Sequence, residues 1–110
     1  MDKRSFIINA KRAKKINSIF KKEKIDLSHL IVLSEIIIRK LNNKQLPNIK
    51  WVQSELEISF TKLKAILELL EKKQYLIKIN DSMDKRVKFL DITKKGEQFI
   101  FKIFEMLPLK

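Results

Sequence analysis

The chain has 110 residues with 25 lysines and arginines against 13 aspartates and glutamates, a formal charge of +12. That is one domain's worth of chain, with room for one modest core, and its charge favours a polyanionic partner whose counterions lysine and arginine displace. With no cysteine, disulfides, cysteine-ligated metals and thiol switches are excluded, and no stretch approaches the ~20 apolar residues of a membrane span.

Residues 2–24 carry no glycine or proline and repeat at helical spacing. Phe6, Ala10, Ala13 and Phe20 share one side with Ile16 close by, and eight lysines and arginines from Lys3 to Lys22 occupy the rest. A basic amphipathic helix can lie on anionic lipid, but a narrow, partly alanine stripe suits packing against another helix better. The cationic face either attracts DNA at long range or is simply solvated. Residues 25–27 break the pattern, and Asp26 or Ser28 can cap the next helix. That helix, LSHLIVLSEIIIRKL, is apolar around nearly its whole circumference, which predicts burial on most sides and a place at the centre of the domain. His29, the only histidine, has no cysteine or carboxylate cluster for company and is read as structural. Asn42 and Asn43 end the helix. A polar connector with Pro47 follows, and any strand there meets a proline that cannot donate to a ladder.

Asn48 can cap a short helix over residues 49–55, whose inward face is Ile49, Val52 and Leu56. Trp51 is expected to anchor the core rather than to stack on bases. A corner at Ile58 and Ser59 leads into a second helix over residues 60–73. Ser59 can cap it, and Leu63, Ile66, Leu67 and Leu70 form its apolar stripe. Thr61, Lys62, Lys64, Ala65 and Glu68 are left outside. Residues 75–79 and 87–92 read as two strands around an exposed loop at 81–86. Helix, turn, helix and ribbon in this order predict a winged helix-turn-helix, mainly α with a small β-ribbon, which usually sets its second helix in the major groove of DNA.

The last helix runs from Thr93 to about Leu107, with a stop at Pro108. Its apolar residues cover more than one face, which points to a second buried surface shared with another copy of the chain. The expected organisation is one domain over residues 1–110, with the helix-turn-helix at about 49–73 and the wing at about 75–92. The helices at about 3–22 and 93–107 would form the contact of a homodimer. Catalysis finds no support: carboxylates are scattered, and a Gly-rich phosphate loop cannot be built around a single glycine. No metal or other cofactor is expected, no signal peptide, and a cytoplasmic, nucleoid-associated setting.

Leu63-Lys64-Ala65-Ile66, then Gln74-Tyr75, then Asp84-Lys85-Arg86-Val87 resemble the MarR superfamily, and within it the staphylococcal accessory regulator (SarA-like) branch. Those are small basic domains with an apolar-Lys-Ala-apolar recognition helix, a tyrosine opening the ribbon and an Asp-Glu-Arg-like wing. Lys85 replaces the acidic residue of that signature and adds positive charge to the wing tip. Asp91-Ile92-Thr93-Lys94-Lys95-Gly96 resembles the Leu-Thr-x-x-Gly that follows the wing, and Gln74 replaces a frequent glycine, implying a different helix-to-strand turn. The resemblance implies a homodimeric, sequence-specific transcriptional regulator bound to double-stranded DNA, A·T-rich and pseudo-palindromic. Ser59, Phe60, Thr61, Lys62, Lys64 and Ala65 fall at recognition-helix positions, and Lys85, Arg86 and Lys88 on the wing. Their chemistry agrees. Lysine binds guanine or phosphate, Thr61 a base edge, Phe60 or Ala65 a thymine methyl, and an arginine suits a narrow A·T minor groove. Arg86 can equally form a wing salt bridge with Asp84. The rival reading is a winged helix used for protein contact, in a co-regulator or a replication or partition complex; RNA binding is a third.

Overall fold

A computed structural model of the chain describes residues 1–107, so the expected stop at Pro108 lies outside the described residues. Five helices and one ribbon follow in the order α1 (Lys3–Glu23), α2 (Leu27–Leu41), α3 (Ile49–Leu56), α4 (Phe60–Lys72), β1 (Leu76–Asn80), β2 (Lys88–Ile92) and α5 (Lys94–Glu105). Each helix opens on a side chain that satisfies a free N–H group. Asp2 accepts from Ser5 N–H at 2.7 Å, Asn48 from Trp51 N–H at 2.7 Å, and Ser59 from Lys62 N–H at 3.1 Å. Asp26 caps α2 reciprocally: it accepts from Ser28 N–H, while Nδ1 of His29 accepts from the Asp26 N–H at 3.1 Å. His29 thereby takes the place that a Glu or Gln holds in a capping box, and its role is local.

The core is built around α2, which packs against α4, α5 and β2. Val32, Leu33 and Ile36 of α2 are fully buried and meet Leu63, Leu67 and Leu70 of α4, Leu90 of β2, and Ile100 and Ile103 of α5 within one apolar cluster. Burial of α2 is incomplete, however. Leu27, Ile31, Ile38 and Leu41 form an exposed stripe along the remaining side, because no element among the described residues covers it. In α5 the correction runs the other way. Ile100 and Ile103 are buried, while Phe99, Phe104, Met106 and Leu107 all pack against the core, leaving only Phe101 exposed among them. The apparent apolar surplus of this helix is therefore mostly absorbed within the chain itself. Besides the α2 stripe, uncovered apolar surface lies on α1, where Phe6, Ile7 and Ile8 are exposed and Ile16, Ile19 and Phe20 reach the core.

β1 and β2 pair antiparallel with Leu76 opposite Ile92 and Asn80 opposite Lys88. Both strands begin one residue later than their apolar runs suggest. The proline connector adds a single bridge between Asn48 and Phe89. Pro47 joins by accepting, its carbonyl taking the Leu90 N–H at 2.9 Å, so its missing N–H costs nothing. α5 is fastened to the foot of the ribbon through Thr93. Its hydroxyl donates to the Gln74 carbonyl at 2.6 Å and accepts from Gly96 N–H at 3.0 Å, and its own N–H donates to the Tyr75 carbonyl at 3.1 Å. Gly96 is required by the closeness of this junction, since a Cβ there would stand 2.3 Å from the Tyr75 carbonyl oxygen. Gln74 takes a left-handed φ of 64°, the conformation glycine adopts freely. The turn is made at a local strain cost rather than avoided.

Candidate nucleic-acid interface

α4 is held from beneath by Leu63, Ile66, Leu67 and Leu70, all buried. That anchoring leaves Phe60, Thr61, Lys62, Lys64 and Ala65 exposed on the outer face. Ser59 is also exposed, with its hydroxyl oxygen engaged in capping the helix. All six positions expected on this helix are exposed, and Thr61, Lys64 and Ala65 share the side turned away from the buried stripe that fixes its orientation.

The wing tip is a loop closed by Asp81 N–H donating to the Val87 carbonyl and Val87 N–H donating to the Asp84 carbonyl, each at 3.0 Å. Asp84 accepts from the Arg86 backbone at 3.0 Å and from Nε and Nη2 of its guanidinium at 3.1 and 3.2 Å. These bonds hold the Asp84 carboxyl below its ordinary pKa. Arg86 remains 91% exposed while so engaged. A pair this open to water is weakly held, so the guanidinium is free to exchange the carboxylate for a phosphate or a groove. Lys85 is exposed, and Lys88 is half-buried with its ammonium on the Asn80 side-chain oxygen.

Between α4, α3 and the wing lies an open cleft of about 410 Å³, lined by Phe60 from α4, by Asn48 and by Ile49, Lys50 and Gln53 of the α3 it caps, and by Arg86, Val87 and Lys88 from the wing. Lys50 and Gln53 extend the polar surface beyond the residues the sequence singled out. Their i, i+3 spacing on the face of α3 away from Val52 was the available signal. Lys85, at the tip, and the outer α4 residues beyond Phe60 do not line this cleft. Trp51 is half-buried against the core, with the Arg39 guanidinium 4.5 Å above its ring, and is not part of the surface.

Behind the ribbon, Glu23 at the end of α1 accepts from the Tyr75 hydroxyl at 3.0 Å and pairs with Lys73 at 3.4 Å. Tyr75 stacks on Phe99 with ring centroids 4.7 Å apart. Burial and the Glu23 carboxylate together push the Tyr75 phenol up to about 12. Burial alone would raise Glu23, but the bond from Tyr75 and the charge of Lys73 outweigh it and keep its carboxyl below the ordinary range. This cluster ties α1, β1 and α5 together. Among the described residues no group of His, Asp or Glu side chains could hold a metal ion, and no helix is long and apolar enough to cross a membrane.

Two helices joined by a tight turn, followed by a two-stranded wing, define a winged helix-turn-helix. No protein-family model matches the sequence, and no curated protein does. Solved structures do resemble it in fold. YusO from Bacillus subtilis superposes with a TM-score of 0.72 at 15% identity, covering 88% of this chain and 65% of its own. MepR of S. aureus in complex with DNA gives 0.73 at 15% identity, covering 91% and 72%. A cysteine-to-serine mutant of E. coli MarR complexed with operator DNA gives 0.68 at 17% identity, covering 92% and 69%. The architecture is the MarR-type winged-helix fold, in a chain that spans about two thirds of the length of YusO.

Proposed function

We propose that the protein is a sequence-specific, double-stranded DNA-binding transcriptional regulator of the MarR kind, allied to the SarA-like branch and acting as a cytoplasmic homodimer. The observation that carries this reading is the outer face of α4. Thr61, Lys62, Lys64 and Ala65 project from a helix anchored by four buried apolar residues, beside a wing bearing Lys85, Arg86 and Lys88. A lysine reaches guanine or phosphate, Thr61 a base edge, and Phe60 or Ala65 a thymine methyl. Arg86, nearly free of burial, suits the negative potential of a narrow A·T minor groove. Lys50 at the opening of α3 is placed for a phosphate beside the same groove. That MepR and MarR share the fold and have been solved with DNA supports the assignment. The homodimer would join the uncovered Phe6 of α1 to Phe101 of α5, covering apolar surface that a monomer leaves in water.

The test is binding of Lys62→Ala, Lys64→Ala and Arg86→Ala to specific and scrambled duplexes over a salt series. The lysine variants lose affinity while melting like the parent. Arg86→Ala loses most on A·T-rich flanks. Leu63→Ala serves as the folding control and loses about 2–5 kcal/mol of stability, because it opens a cavity in the core. Unchanged binding by all three basic-residue variants would move the recognition surface elsewhere. One observation favours the rival reading, a protein-contact module: the exposed stripe of Leu27, Ile31, Ile38 and Leu41 on α2. Loss of partner binding rather than of DNA binding on Ile38→Asp would select it.

A further inference from the structure

The positive charge of this protein is not concentrated where its recognition helix lies. Residues 49–93, which hold the helix-turn-helix and wing, carry nine lysines and arginines against seven carboxylates, a net of +2. Residues 1–24 carry nine against two, a net of +7 out of the total of +12. From Lys3 to Lys22 there is no carboxylate at all. Among the described residues, none of the eight basic side chains in that span lies within ion-pair distance of an acidic one.

These charges are ordered. Arg4, Lys11, Lys15 and Lys22 follow one another at intervals of seven, four and seven residues, and so fall on one straight row of the helix. Lys3, Lys14 and Lys21 form a second row about 100° away. Both rows are exposed and lie roughly opposite Ile16, the residue of α1 that is buried. At 1.5 Å per residue each row is about 27 Å long, the length over which duplex DNA presents on the order of sixteen phosphates. Such a helix is stable in spite of its charge pattern. Lys11 stands i+3 from Lys14 and i+4 from Lys15, placements in which like charges repel.

We infer that the outward face of α1 is a second, sequence-independent binding surface for the phosphate backbone of duplex DNA, separate from the recognition helix and its wing. The inference rests on the DNA-binding reading above and adds a site to it. Separation follows from the fold. The end of α1 is pinned through Glu23 to Tyr75 and Lys73, at the foot of the ribbon, whereas the wing tip lies beyond the far end of β1, about 17 Å away along the strand. The two rows therefore engage DNA flanking the recognised site, or a neighbouring duplex, and supply the counterion release that the nearly neutral recognition module cannot.

The experiment uses the full chain and a duplex of scrambled sequence about 60 base pairs long, several times the ~27 Å of a row, with affinity followed over a salt series. Arg4→Gln, Lys11→Gln and Lys15→Gln are combined in one variant. Lys44→Gln, Lys94→Gln and Lys102→Gln, exposed charges placed elsewhere, form a control of equal net charge. The α1 variant flattens the log–log salt slope by about 2.7, as expected when three phosphates are no longer neutralised, while the control changes it by less than about 1. Its circular dichroism is unchanged, since removing like charges relieves the helix. Equal effects of the two triples would reduce α1 to a contribution to net charge and overturn the inference, leaving the recognition-helix reading intact. Loss of binding in the α1 triple with none in Lys62→Ala/Lys64→Ala would uphold this surface and overturn that reading. If the parent binds no duplex, both fall. Salt-sensitive binding to anionic phospholipid vesicles that the α1 triple abolishes, with its duplex slope unchanged, would assign the face to a membrane and overturn the inference as well.

Discussion

Replacing Gly96 by alanine tests the junction that holds α5 to the foot of the wing. The added methyl would stand 2.3 Å from the Tyr75 carbonyl oxygen and 2.8 Å from Cγ1 of Ile92. Ile92 can adjust a side chain, but the carbonyl is fixed: it accepts the Thr93 N–H, and Tyr75 is stacked on Phe99. Relief therefore requires α5 to retreat by about 1 Å, the shortfall from an ordinary contact in a close-packed interior. α5 carries Ile100 and Ile103 into the centre of the core, so its retreat loosens packing against α2. Overpacking of this kind costs about 3 kcal/mol, and the helix propensity of alanine returns about 1 kcal/mol. The net loss of about 2 kcal/mol corresponds to a fall in Tm of roughly 8 °C for a domain of this size. Thermal and urea unfolding of the Gly96→Ala variant measure it. An alanine variant that melts with or above the parent would show that α5 and β1 are not so closely joined, and the account of the Thr93–Gly96 fastening would be wrong.

Other outcomes follow from single features of the fold. Gln74→Gly raises stability by about 0.5–1 kcal/mol, because the left-handed residue that ends α4 is then relieved of strain; equal or lower stability in urea unfolding would contradict this. Tyr75→Phe costs about 1 kcal/mol at neutral pH, through the lost bond to a partly exposed carboxylate. The same substitution changes the pH profile. Tyr75 has a raised folded pKa, so its contribution is complete below its ordinary value near 10 and is lost as pH rises through about 12. Glu23 has a lowered folded pKa, so its contribution is present above the ordinary carboxylate range and is lost as pH falls through the folded value. Both limbs shrink in Tyr75→Phe, and an unaltered profile would remove the cluster from the account. Sedimentation at micromolar concentration gives twice the chain mass for the parent, and Phe6→Asp lowers it. A parent that sediments as a stable monomer with α1 fully helical would dispose of the proposed homodimer.

Much of the architecture was legible because its determinants are local. Asn48, Ser59 and Asp26 each cap the helix they precede, and a cap needs only an acceptor within three residues. The stripe of Leu63, Ile66, Leu67 and Leu70 defined both the buried side of α4 and, by exclusion, its outer face. What depended on neighbours was not legible. Periodicity states how wide an apolar face is but not how many elements cover it, so the surplus of α5 and the burial of α2 were both misjudged. Helix ends fell within about two residues of their expected places, but the backbone conformation that closes them was hidden. Lys24, Asn43, Glu57 and Gln74 all take positive φ, while the one glycine is used at position 96 for a close approach. Lys50 and Gln53 escaped notice because their closeness to Arg86 exists only once α3 and the wing are packed side by side.

The most direct test of the central claim is recovery of bound fragments from random-sequence duplex DNA by the full chain at physiological salt. The account predicts enrichment of an A·T-rich pseudo-palindrome, its half-sites separated by about one helical turn or a multiple of it. Lys62→Ala/Lys64→Ala loses that enrichment while keeping the fold. Retention of DNA without any enriched sequence, or the same enrichment in the double variant, would contradict the placement of α4 in the major groove.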